Sequence, residues 1–284
     1  MQICRSVSDI RRVVAGLRAG GGRIALVPTM GALHAGHMQL VAEAQGAYDR
    51  VIATIFVNPT QFGNPADLER YPRTEARDIA MLDMAGVDAV FIPTVAEIYP
   101  AGDETIVETT HLAGVFHGAV RPGHFRGVAT VVTKLFNIVG PDGAFFGEKD
   151  YQQLAVIRRM VRDLHMPLRI HGVATVREPD GLAMSSRNVR LAPEDRAAAA
   201  VLNRALDAAE ARAAQGAPAE TLAETLAEVV RATIATEPRA RLRAVDVVDA
   251  DFAPAHGPVT GRIGIMVSAE FGEVLLIDQR EIGK

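Results

Sequence analysis

Apolar positions along the chain fall into two patterns. Short continuous apolar runs at 24–27, 51–57, 87–92, 143–147 and 168–173 alternate with stretches whose apolar residues recur every three or four positions. A continuous run of that length suits a strand buried on both faces of a parallel sheet. The 3.6-residue period predicts helices over 6–18, from 38 to 44, over 73–85, over 128–138, and through Leu154, Ile157, Val161 and Leu164. The first helix carries its apolar stripe on Ile10, Val13, Val14 and Leu17. Ser8 is read as its cap, and Gly20-Gly21-Gly22 ends it. Strand–helix alternation of this kind predicts an α/β fold with a parallel, Rossmann-like sheet. Residues 93–110 break the alternation and read as irregular, with a short β-like piece at 105–108.

After Val176 the pattern changes. The turn cluster Arg177-Glu178-Pro179-Asp180-Gly181 is followed by Ala-rich helical stretches at 193–214 and 217–236, then by strand-like segments at 242–248, 262–268 and 273–278. Helices followed by strands joined through Gly-containing turns predict a smaller C-terminal α+β domain with antiparallel pairing. The expected division is therefore 1–176 and 177–284.

Composition narrows the class. The chain has 284 residues, about half of them hydrophobic, enough for a sizeable core. A net charge of −4 without a basic block argues against nucleic acid as the main partner. One cysteine, Cys4, excludes an internal disulfide and suits a reducing compartment. Arg5, Asp9, Arg11 and Arg12 interrupt any early signal-like run, and no apolar stretch reaches the length of a membrane span. A soluble cytoplasmic protein is expected.

Because the whole chain supplies no positive field, an acidic ligand has to be met locally. The first predicted strand runs into Pro28-Thr29-Met30-Gly31-Ala32-Leu33-His34-Ala35-Gly36-His37, and a helix follows. In an open α/β sheet such a turn lies at the carboxyl end of the strand, where ligands bind. The helix start adds unpaired N–H groups suited to phosphate, and two imidazoles can add donors. Metal binding by the pair lacks a nearby third ligand, and incidental loop histidines are the remaining alternative. The second strand ends in Asn58-Pro59-Thr60-Gln61, whose two amides suit a ligand with hydroxyl and carboxylate groups, or form a plain turn. Gly118 to Gly127, with Arg121, Pro122, His124 and Arg126, reads as a shaped anion-facing loop or a solvated basic one. Lys149 is read into the first turn of a helix, where the dipole disfavours a cation unless an anion is bound. Ser185-Ser186-Arg187-Asn188 offers hydroxyls, a guanidinium and an amide, though serine pairs also serve as caps and turns.

Together these segments closely resemble the pantoate–β-alanine ligase family. The resemblance rests on Pro28 to His34 with Gly36 and His37, Phe56-Val57-Asn58-Pro59 with Gln61-Phe62, Arg121-Pro122 and His124-Phe125, Phe146 through Gln153, and Asp180 through Asn188. Ala35 stands where the family's histidine motif often has an acidic residue. The resemblance implies a nucleotidylyltransferase-like Rossmann domain, a C-terminal lid domain, a homodimer, and ATP with Mg²⁺. It also implies two steps: pantoate attacks ATP to give pantoyl adenylate, and β-alanine then displaces AMP. It assigns ATP to Met30, Gly31, Ala32, Leu33, His34, Ala35, Gly36 and His37, to Gly147, Glu148, Lys149 and Asp150, to Val176, and to Met184, Ser185, Ser186 and Arg187. Gln61 and Gln153 are implied to hold pantoate, with Gln61 also near β-alanine. His37, His34, Lys149 and Arg187 are implied to be catalytic, and no protein-held metal is expected. A nucleotidylyltransferase stopping at the nucleotide-bearing product is the alternative reading, and a nucleotide sensor without turnover is a third.

Overall fold

The computed structural model describes residues 1–216, 221–255 and 261–283. The chain forms two compact units. One comprises Met1–Gly147 and Gln152–Ala174, and the other Glu148–Tyr151 and Thr175–Lys284. The division at Ala174 lies two residues before the sequence-based boundary, and the short piece Glu148–Tyr151 goes with the second unit.

The first unit runs β1 (Gln2–Cys4), α1 (Val7–Arg18), β2 (Ile24–Thr29), α2 (Ala35–Ala47), β3 (Arg50–Ile55), α3 (Pro65–Glu69), α4 (Glu75–Met84), β4 (Ala89–Phe91), α5 (Val95–Ile98), α6 (His117–Val120), α7 (His124–Val139), β5 (Gly143–Gly147), α8 (Tyr151–Asp163) and β6 (Arg169–Val173). Its six strands are all parallel, in the order β1-β4-β3-β2-β5-β6. This is the expected Rossmann-like sheet with one strand more. β1 is three residues long, too short to show a period, and joins the edge beside β4. It buries Cys4, and desolvation pushes that thiol's pKa up, away from nucleophilic use.

The strand order reverses between β2 and β5, which makes the carboxyl ends of these two strands the topological switch point. β2 stays paired to β3 as far as Thr29, but to β5 only as far as Leu26. The central strands are therefore unpaired with each other at their outgoing ends, where a crevice for ligand opens.

Several local expectations are corrected. Ser6, not Ser8, caps α1, its hydroxyl accepting from the Asp9 N–H. Residues 105–108 form no strand. The Val107 N–H and C=O both pair with the Thr130 hydroxyl on α7, which satisfies that backbone without a ladder. Part of the predicted glycine-rich loop is helical, since α7 begins at His124 behind a left-handed Gly123. Lys149 precedes α8 in a turn and does not sit in the helix's first turn, so the helix dipole does not mark it as a misplaced cation.

The second unit contains α9 (Pro193–Ala198), α10 (Val201–Ala214), α11 (Leu222–Ala235), β7 (Ala240–Val248), β8 (Ile263–Phe271) and β9 (Val274–Ile282). The three strands are antiparallel in the order β7-β8-β9. Their inner face packs on Leu202, Leu206, Leu226 and Val230 of the helices to make a separate core. The expected helix start at 217 lies outside the described residues. Among the described residues no helix is long and apolar enough to cross a membrane.

Candidate active site

The turn after β2 is built from strained backbone. Gly31 has φ +81 and Ala32 φ +51, two consecutive left-handed residues. A Cβ on Gly31 would meet both Asp78 Oδ2 and Ile55 Cγ2 at 3.0 Å, so glycine is required twice over. Thr29 donates its hydroxyl to the Thr54 carbonyl and accepts from the Gly31 N–H at 3.2 Å. The next two N–H groups, of Ala32 and Leu33, are each accepted at 2.9 Å by the fully buried carboxylate of Asp78 on α4. Successive N–H groups in such a turn form an anion-binding nest, and here the anion is the protein's own. The side chain of Leu33 is buried as well, so Ala32 and Leu33 frame the turn and do not offer it donors.

The two histidines cap α2 reciprocally. His34 takes the N-cap position with extended backbone, and its Nδ1 accepts from the Gly36 N–H at 3.1 Å. His37 Nδ1 accepts from the His34 N–H at 3.3 Å. The ring centroids lie 4.1 Å apart, tilted by 52°. An Nδ1 that accepts carries no proton, so each imidazole holds its proton on Nε2. The box places two ring N–H donors side by side at the switch point. It also spends the Gly36 N–H that the sequence reading left for phosphate.

The amide loop after β3 sorts its two amides. Asn58 is buried and fully committed within the protein. Its Nδ2 donates to Gln61 Oε1 at 3.0 Å and to the Gly127 carbonyl at 3.1 Å, and its Oδ1 accepts from the Thr60 N–H and hydroxyl and from the Tyr99 hydroxyl. Burial raises the Tyr99 pKa and keeps that phenol a donor. Asn58 thus orients Gln61 and does not itself face a ligand, which corrects the equal weight given to both amides. Gln61 Nε2 lies 3.2 Å from Met30 Sδ, which ties this loop to the histidine turn.

α7 completes the loop's support. A Cβ on Gly127 would lie 2.6 Å from the Thr60 carbonyl oxygen, so only glycine lets the helix approach. His124 Nδ1 lies 2.8 Å from the Gln61 carbonyl, an acceptor only, and therefore donates to it. Its Nε2 lies 3.4 Å from Arg121 Nη1, completing a chain from guanidinium to Gln61. On α8, Gln152 is buried, accepts from the His117 N–H and donates to the carbonyls of Leu112 and Val115. Gln153 is its half-buried neighbour.

Gly147 ends β5 in the first unit, and the second unit holds Glu148, Lys149, Asp150, Val176, Met184, Ser185, Ser186 and Arg187. Lys149 and Asp150 sit together at 3.8 Å in the turn after β5. A tight hairpin begins at Val176, whose carbonyl accepts from Met184. It carries an isolated antiparallel bridge between Arg177 and Ala183. Ser185 Oγ accepts from the Arg187 N–H at 3.2 Å, an ST turn that presents Ser186 and Arg187. Asn188 donates to the Ala183 carbonyl, and its Oδ1 is buried without a partner. Arg177 anchors the hairpin: it donates to the Gly181 carbonyl and makes two bonds, at 2.7 and 3.0 Å, to the buried Asp278 on β9. Met30, Gly31, His34, His37 and Gln61 are thus brought together in one unit, and Lys149, Asp150, Val176, Met184, Ser185, Ser186 and Arg187 belong to the other.

Sequence reasoning missed Asp78, Asn58's orienting role and the Arg177–Asp278 pair. Asp78 lies 45 positions from Leu33 and Asp278 lies 101 from Arg177, and nothing local marks either carboxylate.

Comparison with known proteins places this geometry in context. A family model described as pantoate-beta-alanine ligase matches residues 2–281. A pantothenate synthetase of Agrobacterium fabrum is 50% identical, with 100% of this chain and 97% of the relative covered. One from Cereibacter sphaeroides is 51% identical over 97% of this chain and 98% of the relative. Among solved structures, pantothenate synthetase from Thermus thermophilus matches with a TM-score of 0.92 at 44% identity over the whole of both chains. The Francisella tularensis pantoate-beta-alanine ligase, complexed with beta-gamma ATP and beta-alanine, matches with a TM-score of 0.80 at 34% identity, covering 99% of this chain and 97% of that one.

Proposed function

The chain belongs to the pantoate–beta-alanine ligase family, and from that premise we propose how its residues carry the reaction. It is a ligase that condenses pantoate with β-alanine at the expense of ATP. We infer two steps. A pantoate carboxylate oxygen attacks the α-phosphorus of ATP, the α–β phosphoanhydride bond breaks, and pyrophosphate leaves. The β-alanine amine then attacks the acyl carbon of the adenylate, its C–O bond to AMP breaks, and the nitrogen gives up a proton.

A carboxylate is a poor electrophile until AMP makes it a good one. The first step moves negative charge and few protons, so positioning and charge stabilisation carry it. The observation that bears most weight is the reciprocal histidine cap. It fixes both rings with the proton on Nε2 at the switch point. His37 and His34 donate hydrogen bonds from those Nε2–H groups to phosphate oxygens as charge builds, and Met30, Gly31, Ala35 and Gly36 let the nucleotide approach the backbone. Ala32 and Leu33 serve by shaping the turn. Gln61, aimed by Asn58 and held by His124, binds pantoate with Gln153. Lys149 and Arg187 supply full positive charge to the triphosphate, and Ser185, Ser186 and Met184 line its path. Val176 meets adenine through its backbone. Gly147, Glu148 and Asp150 complete the nucleotide set, with Asp150 toward the ribose.

Among the described residues no three acidic, His or Cys side chains converge on a point that would hold an ion. In this reading Mg²⁺ is the counter-ion that ATP carries, held largely by the phosphates. A homodimer and a cytoplasmic setting are part of the same proposal. Light scattering at twice the chain mass would support the first.

Pyrophosphate and AMP release test the scheme. With ATP, Mg²⁺ and pantoate, pyrophosphate is expected to appear in an amount close to the enzyme present, with AMP following only when β-alanine is added. Pyrophosphate release indifferent to pantoate would overturn it.

A further inference from the structure

We propose that Asp78 is a positioning residue for the reaction, an internal anion that sets the histidine turn and with it the ring tautomers. The proposal rests on the role given above to His34 and His37. Asp78 lies on α4, 45 residues from Leu33, and its side chain is fully buried. Both carboxylate oxygens are used. Oδ2 accepts from the Ala32 N–H at 2.9 Å, and Oδ1 accepts from the Leu33 N–H at 2.9 Å and from the Thr74 hydroxyl at 3.0 Å. Its own N–H is bonded within α4 to the Thr74 carbonyl, so the helix holds the carboxylate in place.

Two features make this more than packing. The turn it binds is strained at Ala32, a non-glycine in the left-handed region next to left-handed Gly31, and such a conformation persists only where its surroundings over-determine it. The carboxylate does so through two charge-assisted bonds to successive N–H groups. Those bonds also fix the direction in which the chain leaves Leu33 and enters His34. The His34 N–H must point at His37 Nδ1, and His34 Nδ1 must meet the Gly36 N–H. Without the carboxylate the nest loses its anion and relaxes, and the reciprocal cap loses its entry angle. The two rings can then take either tautomer.

The test uses the full chain with Asp78→Asn, Asp78→Ala and Thr74→Val. Asn keeps one acceptor but turns an amide toward an N–H. Ala removes both acceptors, and Thr74→Val deletes only the hydroxyl bond. Nitrogen-15 NMR of the imidazoles reads the tautomer directly and needs no turnover. The wild-type signals of His34 and His37 are expected to show protonation on Nε2, and the two Asp78 variants to show mixed tautomers. Steady-state kinetics give the second readout. KM for ATP is expected to rise roughly ten- to a hundredfold in Asp78→Ala, the worth of one or two charge-assisted hydrogen bonds. Asp78→Asn should fall between it and the wild type, Thr74→Val should stay close to the wild type, and KM for β-alanine should hardly move. Leu226→Ala, a core truncation in the second unit that lowers stability, serves as the control and is expected to leave both readouts alone. Unchanged tautomers in Asp78→Ala, or an ATP effect no larger than the control's, would overturn the proposal. Failure of the wild type to turn over pantoate would instead refute the functional reading, and the tautomer measurement would still judge Asp78.

Discussion

The histidine turn of the first unit and the serine–arginine hairpin of the second face the same physical problem. Each must hold a short irregular segment rigid enough to meet a highly charged ligand. The first is held through its backbone, by a buried carboxylate accepting two peptide N–H groups and by rings that cap a long helix. The second is held through a side chain, Arg177, which reaches the hairpin carbonyl of Gly181 on one side and Asp278 on the other. A carboxylate on backbone fixes both the path of the chain and the rotamers that follow. A guanidinium–carboxylate pair fixes one end of a hairpin and leaves the presented side chains to a local ST turn. Disturbing the first should cost function before stability, and disturbing the second should cost stability before function.

The largest effect is expected at Asp278. Its side chain is fully buried and Arg177 is mostly so, and removing one partner of such a pair leaves an uncompensated charge. Asp278→Ala should therefore destabilise the second unit by about 3–5 kcal/mol. Urea unfolding followed by far-UV circular dichroism would show the loss, while the imidazole nitrogen signals of His34 and His37 should stay unchanged. A shift in those signals would erase the contrast between the two anchors.

His37→Ala comes next and probes the opposite side. Turnover of ATP with pantoate should fall about a hundred- to a thousandfold, as when a single donor to developing negative charge is lost. The loss of stability should be limited to about 1 kcal/mol, the worth of a cap contact. Unchanged turnover would take His37 out of the mechanism. Gly31→Ala is the intermediate case. It forces a side chain onto φ +81 and into 3.0 Å contacts with Asp78 and Ile55, at a cost of about 1–3 kcal/mol. Here KM for ATP should rise along with a fall in Tm, because backbone and site are the same object in this unit.

The same contrast explains what was legible in the sequence. Strand–helix alternation gave the parallel sheet, and the antiparallel second unit followed from its turns, because both depend on periodicity within a short window. The histidine, amide and serine–arginine segments were legible because their chemistry is contiguous. The anchors were not. Asp78 is one acidic residue in the amphipathic helix α4, and its sequence neighbours look like any helix's first turn. Asp278 meets Arg177 across 101 positions. Asn58 looked equal to Gln61 because an amide committed to the protein and one aimed at a ligand have the same letter pattern. β1 escaped because three residues cannot display a period, and Lys149 was misplaced by two residues because helix starts are set by capping contacts that periodicity does not encode.

The smallest predicted effect tests whether a histidine outside these anchors behaves as its packing requires. His171 on β6 lies flat against Phe145, with centroids 4.5 Å apart, and its Nε2 is 2.9 Å from the Tyr48 hydroxyl. Burial lowers its pKa, and the nearby Arg169 and Arg158 lower it further, so the folded protein holds the ring neutral at a pH where an exposed imidazole has begun to charge. The sign follows from which state takes the proton first. Above the ordinary value of 6.5 both states are neutral and the contribution to stability is complete. As pH falls below it the unfolded chain is protonated first, and stability declines until the folded ring also titrates. Because the ring is partly exposed, solvent screening keeps the change under about 1 kcal/mol. Unfolding midpoints measured from about pH 7.5 down to the His171 titration, in wild type and in His171→Phe, would isolate the effect, since Phe keeps the stack and cannot titrate. The variant should show a shallower decline than the wild type, and equal slopes would mean that His171 is charged in the folded chain as readily as in the unfolded one.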